Sequence, residues 1–250
     1  MSVKIFVDRS EHFWKKYYET DSQTYDSERF SSPSGKLFED LENNFIVEMF
    51  GDVQNKKTLD VATGTGRISV HLAKAGADVT ALDLTPEMME KAKEKAKNAG
   101  VKINFIEGNA MALPFNDATF DNVITIRFVH LLSKKDEEKV IEEMARVLKP
   151  GGQLIIEYNN LLYGGFLIPI IEAYRVHALK RNPERFAAPF GLNSKLKNLQ
   201  IEEVVGVGFP MLGKITNANP KFGWKLAKKL GRNFMKNFSS HLIIKCTKAK

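Results

Sequence analysis

Between residues 58 and 158, short apolar runs alternate with amphipathic stretches. The apolar runs predict strands at 58–62, 78–83, 103–107, 122–126 and 153–158. Runs of this length without strict polar alternation suit strands buried on both faces. The stretches between them predict helices at about 67–75, 86–99 and 134–148. Local punctuation agrees: Thr85 is placed to cap the second helix, Pro86 suits its first turn and Gly100 its end, while Pro150-Gly151-Gly152 stops the third. Such alternation gives right-handed crossovers and a parallel sheet covered by helices on both faces.

The flanks read differently. Residues 1–55 carry an aromatic cluster (Phe13, Trp14, Tyr17, Tyr18) and a helical repeat (Leu37, Leu41, Phe45, Ile46), with a loop at 31–35. They are expected to form an N-terminal helical cap. Residues 159–198 mix glycine, proline, aromatic and basic groups, including Tyr163, Phe166, Tyr174, Arg175, Lys180, Arg181, Arg185, Phe186 and Phe190. That composition fits a lid over an apolar, anion-bearing molecule. Strands at 201–209 and 240–247 bring the expected sheet to seven. Between them, 221–238 has an apolar stripe at Trp224, Ala227, Leu230, Phe234 and Phe238 and a basic opposite face. It reads as one amphipathic helix, packed on the sheet or laid on an anionic membrane surface. The expectation is an α/β fold with a doubly wound, seven-stranded, mostly parallel sheet, residues 56–250 forming one domain that includes the lid.

Composition narrows the function classes. With 250 residues and 43% hydrophobic content the chain can bury one sizeable core. A single cysteine, Cys246, excludes an internal disulfide and a cysteine-rich metal site, which fits a reducing compartment. Charged residues among the first ten argue against a signal peptide, and the apolar run at 166–171 is broken by Pro169 and too short to span a bilayer, so a cytoplasmic protein is expected. Charge is uneven: residues 1–150 hold 21 Lys+Arg against 25 Asp+Glu, residues 151–250 hold 16 against 5. The basic half suits an anionic partner (an acidic substrate, a membrane surface or nucleic acid) or simply a solvated lysine-rich surface.

The chemistry concentrates at Thr58-Leu59-Asp60-Val61-Ala62-Thr63-Gly64-Thr65-Gly66-Arg67. This is a buried strand, a glycine turn and a helix start, with Asp83 ending the next strand. Backbone at the turn and a carboxylate for ribose hydroxyls hold a nucleoside. Ser69 stands where a dinucleotide fingerprint has its third glycine, which disfavours an NAD oxidoreductase, and nothing matches a P-loop. Asp60, four residues before Gly64, can accept from a cationic amino group or hold the loop, which suits a ligand with an amino-acid moiety as well as a nucleoside.

In these motifs the chain resembles the class I S-adenosylmethionine (SAM)-dependent methyltransferases, within them the ubiquinone/menaquinone C-methyltransferase-like branch acting on small molecules. The resemblance covers roughly residues 25–158. Residues 59–66 resemble the first motif, and Val79-Thr80-Ala81-Leu82-Asp83-Leu84 the second. The adenine-side loop is matched by Glu107-Gly108-Asn109-Ala110-Met111-Ala112-Leu113-Pro114-Phe115. Phe120-Asp121-Asn122-Val123-Ile124 and Leu148-Lys149-Pro150-Gly151-Gly152 follow in order. The resemblance implies a Rossmann-like fold, SAM as cofactor and S-adenosylhomocysteine as product. It places Tyr25, Asp60, Ala62, Thr63, Gly64, Gly66, Asp83, Leu84, Asn109, Ala110, Met111 and Arg127 around the cofactor, with Tyr25 as an aromatic that closes over it. Two positions depart from the family: Ala62 where glycine is common, and Asn109 where an acid is common. The Asn109 amide oxygen can still accept from the adenine amino group, or it only shapes the loop.

Ligands of open α/β sheets lie beyond the carboxyl ends of the strands. That puts Arg127 and His130 after the fourth strand, and Tyr158 and Asn159 after the fifth, beside the acceptor. His130 and Tyr158 are the catalytic candidates, His130 as a base or as a packing residue. Thr125-Ile126-Arg127-Phe128 stands where nucleic-acid amino-methylases carry Asn/Asp-Pro-Pro-aromatic, so a nucleic-acid acceptor is disfavoured. A small, apolar, lipid- or quinone-like acceptor is expected. The alternatives are an RNA or protein acceptor docked on the basic half, or a module that binds SAM without turnover.

Overall fold

Aliphatic and β-branched runs build the centre of one sheet, seen in a computed structural model that describes residues 15–16, 18–19, 22–163, 186–197, 199–209 and 212–249. Strands β1 (Lys57–Val61), β2 (Asp78–Asp83), β3 (Asn104–Glu107), β4 (Phe120–Thr125) and β5 (Leu148–Asn160) run parallel in the order β3-β2-β1-β4-β5. A two-residue strand β6 (Phe186–Ala187) pairs with Asn159 and Asn160 at the end of β5. Strand β7 (Leu199–Val207) forms the far edge, and the closing strand β8 (His241–Lys248) runs antiparallel between it and β5. The sheet thus has eight strands rather than seven; the extra one lies in the stretch expected as a lid. The order reverses between β1 and β4, and at that switch point a crevice opens beyond the strands' carboxyl ends.

Eight helices of the described residues matter. They are α1 (Tyr25–Phe30), α2 (Pro33–Phe50), α3 (Arg67–Lys74), α4 (Pro86–Ala99), α5 (Lys134–Val147), α6 (Leu192–Lys195) and α7 (Leu212–Ala218), followed by the basic helix α8 (Pro220–Arg232). One apolar core joins α2, α3, α7 and α8 to the sheet through Leu41, Phe45, Ile46, Ile68, Leu72, Leu212 and Ala227. The other joins α5 and α6 to the opposite face through Val140, Met144, Val147 and Leu192. Both faces are covered, as parallel strands require.

Local differences have physical causes. Thr85 makes no side-chain cap; its N–H instead donates to Asp83 at 2.9 Å. Helix α5 ends before Pro150, because Leu148 is buried against the sheet and pairs with Phe120, so Pro150-Gly151-Gly152 lies inside β5. The segment 221–238 is not one helix. Asn233 turns extended, its side chain accepting from the Met235 N–H, and a 3-10 turn follows at Phe234–Phe238. Trp224, Ala227 and Leu230 pack inward, whereas Phe234 and Phe238 are turned out to solvent. Phe13, Trp14, Tyr17 and the lid residues Phe166, Tyr174, Arg175, Lys180, Arg181 and Arg185 lie outside the described residues. No helix among the described residues is long and apolar enough to cross a membrane.

Candidate active site

After β1 the backbone turns through left-handed positions at Ala62 (φ +60°), Gly64 (φ +56°) and Gly66 (φ +74°). The two glycines adopt these freely, while Ala62 is strained by about 1 kcal/mol. A Cβ on Gly64 would meet nothing within 4 Å; it would project into the open crevice. Gly66 serves packing instead, since its Cβ would stand 2.5 Å from that of Ala92 on α4. It starts α3 and lets the two helices touch, and it does not line the crevice.

Two buried carboxylates frame this turn. Asp60 accepts from the hydroxyls of Thr63 at 2.8 Å and Ser69 at 2.7 Å. Ser69, at the place of the missing glycine, thereby fastens the acid to the first turn of α3. Burial raises the Asp60 pKa, with the two hydroxyls opposing. Asp83 accepts the Gly64 N–H at 2.7 Å on one oxygen and the Thr85 N–H on the other. Burial pushes it up to about 6 against these N–H groups. Each oxygen retains a lone pair for hydroxyls in the crevice.

Around this frame the crevice is lined by Tyr25, Asp60, Ala62, Thr63, Gly64, Asp83, Leu84, Asn109, Ala110, Met111 and Arg127. These are the residues expected at the cofactor, Gly66 excepted. The Asn109 oxygen accepts the Met111 N–H at 2.8 Å, so Asn109 shapes its loop. Tyr25 reaches the crevice from α1, meets Tyr18 edge-to-face at 6.2 Å and hydrogen-bonds Arg127. Helix α1 is held there by a latch: Thr65 donates to Asp26 at 2.8 Å, and Lys95 contacts both Asp26 and Thr65.

Arg67 escaped the sequence reading. It lines the crevice beside Arg127, buried against Glu42 and 3.0 Å from Asn43 on α2, with Phe30 under its guanidinium. Its position directly after Gly66 was the available signal. Arg127 (φ +59°) donates its backbone N–H to Glu157 at 2.7 Å, and its guanidinium stands 5.8 Å and 5.7 Å from the rings of Phe30 and Phe38.

Neither catalytic candidate lines the crevice. His130 sits in the 3-10 turn Val129–Leu131, close enough to His241 for the two rings to repel when charged. Tyr158 is packed in the core of the α5 face with Lys195 over its ring at 5.3 Å. Alternation along β5 explains this: if Tyr158 faces α5, then Glu157 and Asn159 face α2. Glu157 is only 1% exposed, and burial pushes its pKa up to about 8, helped by the nearby Glu42 carboxyl and opposed by Arg127. His241 lies 3.9 Å from Glu157, with Ser240 at 2.7 Å and Phe38 edge-on at 5.1 Å. Burial holds its imidazole well below the ordinary value, hence neutral.

Beyond Phe38 lies a second cavity, of about 270 Å³, between α2, the end of β7, α7 and α8. It is lined mainly by Leu37, Phe38, Leu41, Phe209, Leu212 and Ala227, with Ser34, Tyr163 and Ser240 as polar members. Arg127, which lines the crevice, stands 5.7 Å from the ring of Phe38, which lines this cavity.

Residues 58–152 match the family model described as a methyltransferase domain. That stretch of the chain is a methyltransferase domain. It is 37% identical over 153 residues to the ubiquinone/menaquinone biosynthesis C-methyltransferase UbiE of Pectobacterium atrosepticum, an overlap of 59% of this chain and 60% of that protein. The chain spans about half the length of the curated relatives it matches, 47% for some. The methyltransferase domain superposes on magnesium protoporphyrin IX methyltransferase of Synechocystis PCC 6803, solved with bound S-adenosylhomocysteine, with TM-score 0.71 and 13% identity over 96% of this chain and all of that one. It also superposes on the [4+2]-cyclase SpnF, with TM-score 0.60 and 20% identity over 83% of this chain and 80% of that one. Likeness at these identities speaks for the fold, and the cyclase shows that the fold alone does not name the reaction.

The residues of the crevice fit SAM. An acid sits where ribose hydroxyls need an acceptor, an open space faces Gly64, and a second buried acid stands at the turn.

Proposed function

We propose that the protein transfers a methyl group from SAM to a small apolar acceptor of lipid- or quinone-like character. The observation that carries this is the apolar cavity lined by Phe38, whose ring stands 5.7 Å from Arg127 of the crevice. When bound, SAM supplies a methyl carbon on a positively charged sulfur; the acceptor atom bonds that carbon as the sulfur–carbon bond breaks, and the acceptor's proton leaves. Asp83 would accept from the ribose hydroxyls and Asp60 from the amino group, with Tyr25 and the loop at Asn109–Met111 holding the rest of the cofactor. The protein's contribution is alignment and exclusion of water, supplied by crevice walls that include Arg127, Ile126, Phe128 and Met111.

Titration calorimetry with SAM and S-adenosylhomocysteine tests the donor half, and transfer of labelled methyl to a panel of lipophilic phenols and hydroquinones tests the acceptor half. Micromolar cofactor binding and label in the organic extract are the expected results. Absence of cofactor binding refutes the reading outright. Binding with label found only on hydrophilic acceptors refutes the acceptor class.

A further inference from the structure

The last 47 residues, 204–250, contain ten Lys and Arg and no Asp or Glu. Helix α8 lies within them and has two sides. Gly223, Ala227 and Gly231 are buried, and Trp224, Leu226 and Leu230 pack on the core. A Cβ on Gly223 or Gly231 would clash with Thr216 or with the Gly206 carbonyl, so this side is pressed onto the fold. On the other side Phe222, Lys225 and Lys229 follow at helical spacing, all exposed, with Lys221 next to them.

The 3-10 turn that follows adds more exposed apolar surface. Phe222 is 55% exposed, Phe234 72%, Phe238 46% and Met235 40%. Phe234 and Phe238 stack edge-to-face at 5.6 Å, forming a paired aromatic knob. The knob is firmly based. Asn233 caps the turn, and the Asn160 amide donates to the carbonyls of Asn237 and Ser239, both at 2.8 Å. Leu161, also exposed, emerges beside that anchor. Ser240, two residues after the knob, lines the apolar cavity.

Aromatic rings held out of the core beside exposed lysines suit the boundary between lipid headgroups and acyl chains. We infer that the outer side of α8 and the Phe234–Phe238 knob form a docking surface for an anionic lipid bilayer. The lysines meet the headgroups and the rings enter the acyl boundary. Lys228, Arg232 and Lys245 are paired with Glu48, Glu203 and Glu202, and it is the exposed Lys221, Lys225 and Lys229 that supply the charge complementarity singling out an anionic surface over a neutral one. The surface rests on the proposed acceptor class only for its purpose, which is to set the apolar cavity beside the phase where a lipophilic acceptor resides. Its existence is tested without turnover.

Full-length protein is sedimented with phosphatidylcholine vesicles with and without phosphatidylglycerol, over a range of salt. Association is expected with the phosphatidylglycerol vesicles, weakening as salt rises. Lys225→Gln/Lys229→Gln should bind roughly 30-fold more weakly, since each lysine near an anionic surface contributes about a factor of five. Phe234→Ser/Phe238→Ser should lose association while keeping wild-type SAM affinity by calorimetry, and Phe222→Ser, at a separate exposed position, should weaken it independently. Equal binding to both vesicle types, or wild-type binding by the variants, overturns the inference. It is also overturned if the wild type avoids vesicles but dimerises in ultracentrifugation and the phenylalanine variant is monomeric, which would make this face an interface between copies. Vesicle binding in a protein that ignores SAM would leave this surface standing and refute the function proposed above instead.

Discussion

Replacing Glu157 by glutamine separates this side chain's shape from its charge. Glutamine keeps an oxygen for the Arg127 N–H, now accepted at 2.7 Å, but cannot ionise. The folded-state pKa of Glu157 is pushed up to about 8 from an ordinary value of 4.5, chiefly by burial. Between those values the unfolded chain has released a proton that the folded chain keeps, so stability falls as pH rises, by at most about 1.4 kcal/mol per unit. From about pH 5 to about pH 7 the wild type therefore loses about 2–3 kcal/mol through this group, a loss the variant escapes. Urea unfolding followed by tryptophan fluorescence across that range reads the effect, with the nearby Glu42 carboxyl the one other acid whose titration the substitution touches. Glu157→Gln should match the wild type near the acid end and exceed it increasingly toward neutral and mildly basic pH. A pH-independent difference would refute the reasoning. So would a variant that grows less stable relative to wild type as pH rises, because that is the mark of an ionised Glu157 paired with Arg127, whose loss costs about 3–5 kcal/mol.

Other consequences follow from the same geometry. Asp83 must be ionised to accept two ribose hydroxyls; with its pKa near 6, SAM affinity should be flat above that value and fall about tenfold one unit below it. Asp83→Asn should bind SAM about 30-fold more weakly and flatten the profile in calorimetry. Ala62→Gly relieves the left-handed strain and should raise unfolding stability by about 0.5–1 kcal/mol. Gly66→Ala adds both that strain and a clash with Ala92, so a loss of about 2–4 kcal/mol is expected in the same denaturation assay. Lys95→Met removes a half-exposed ion pair; it should change stability by less than about 1 kcal/mol yet speed SAM dissociation in stopped-flow measurements.

What the sequence disclosed follows from where information is local. Helix α4 begins at Pro86 and ends before Gly100, as expected, because proline and left-handed glycine act through their own backbone. The glycine turn was legible for the same reason. The face on which Tyr158 lies was not, because a strand buried on both sides shows no alternation to read. Arg67 was passed over because its partners, Glu42 and Asn43, lie some 25 residues earlier on another helix. The break at Asn233 was hidden by an apolar stripe whose spacing runs on unchanged into a turn that faces the opposite way.

The crevice consequently has two walls of unequal strength. On the α2 side, Arg67 and Arg127 stand over Phe30 and Phe38 and meet Glu42 and Glu157, both almost fully buried. Removing Glu42 there strands the Arg67 charge in an apolar setting, which costs several kcal/mol, so this wall moves only with the core. On the α1 side, Asp26 and Lys95 are each about one-third exposed, a setting in which an ion pair contributes about 0–1 kcal/mol. Tyr25, the aromatic over the cofactor crevice, belongs to this weaker wall, yet its hydroxyl reaches Arg127 on the stronger one. A ligand in the crevice that touches Tyr25 therefore joins the two, and the binding free energy it gains there tightens α1 onto a wall that is already set.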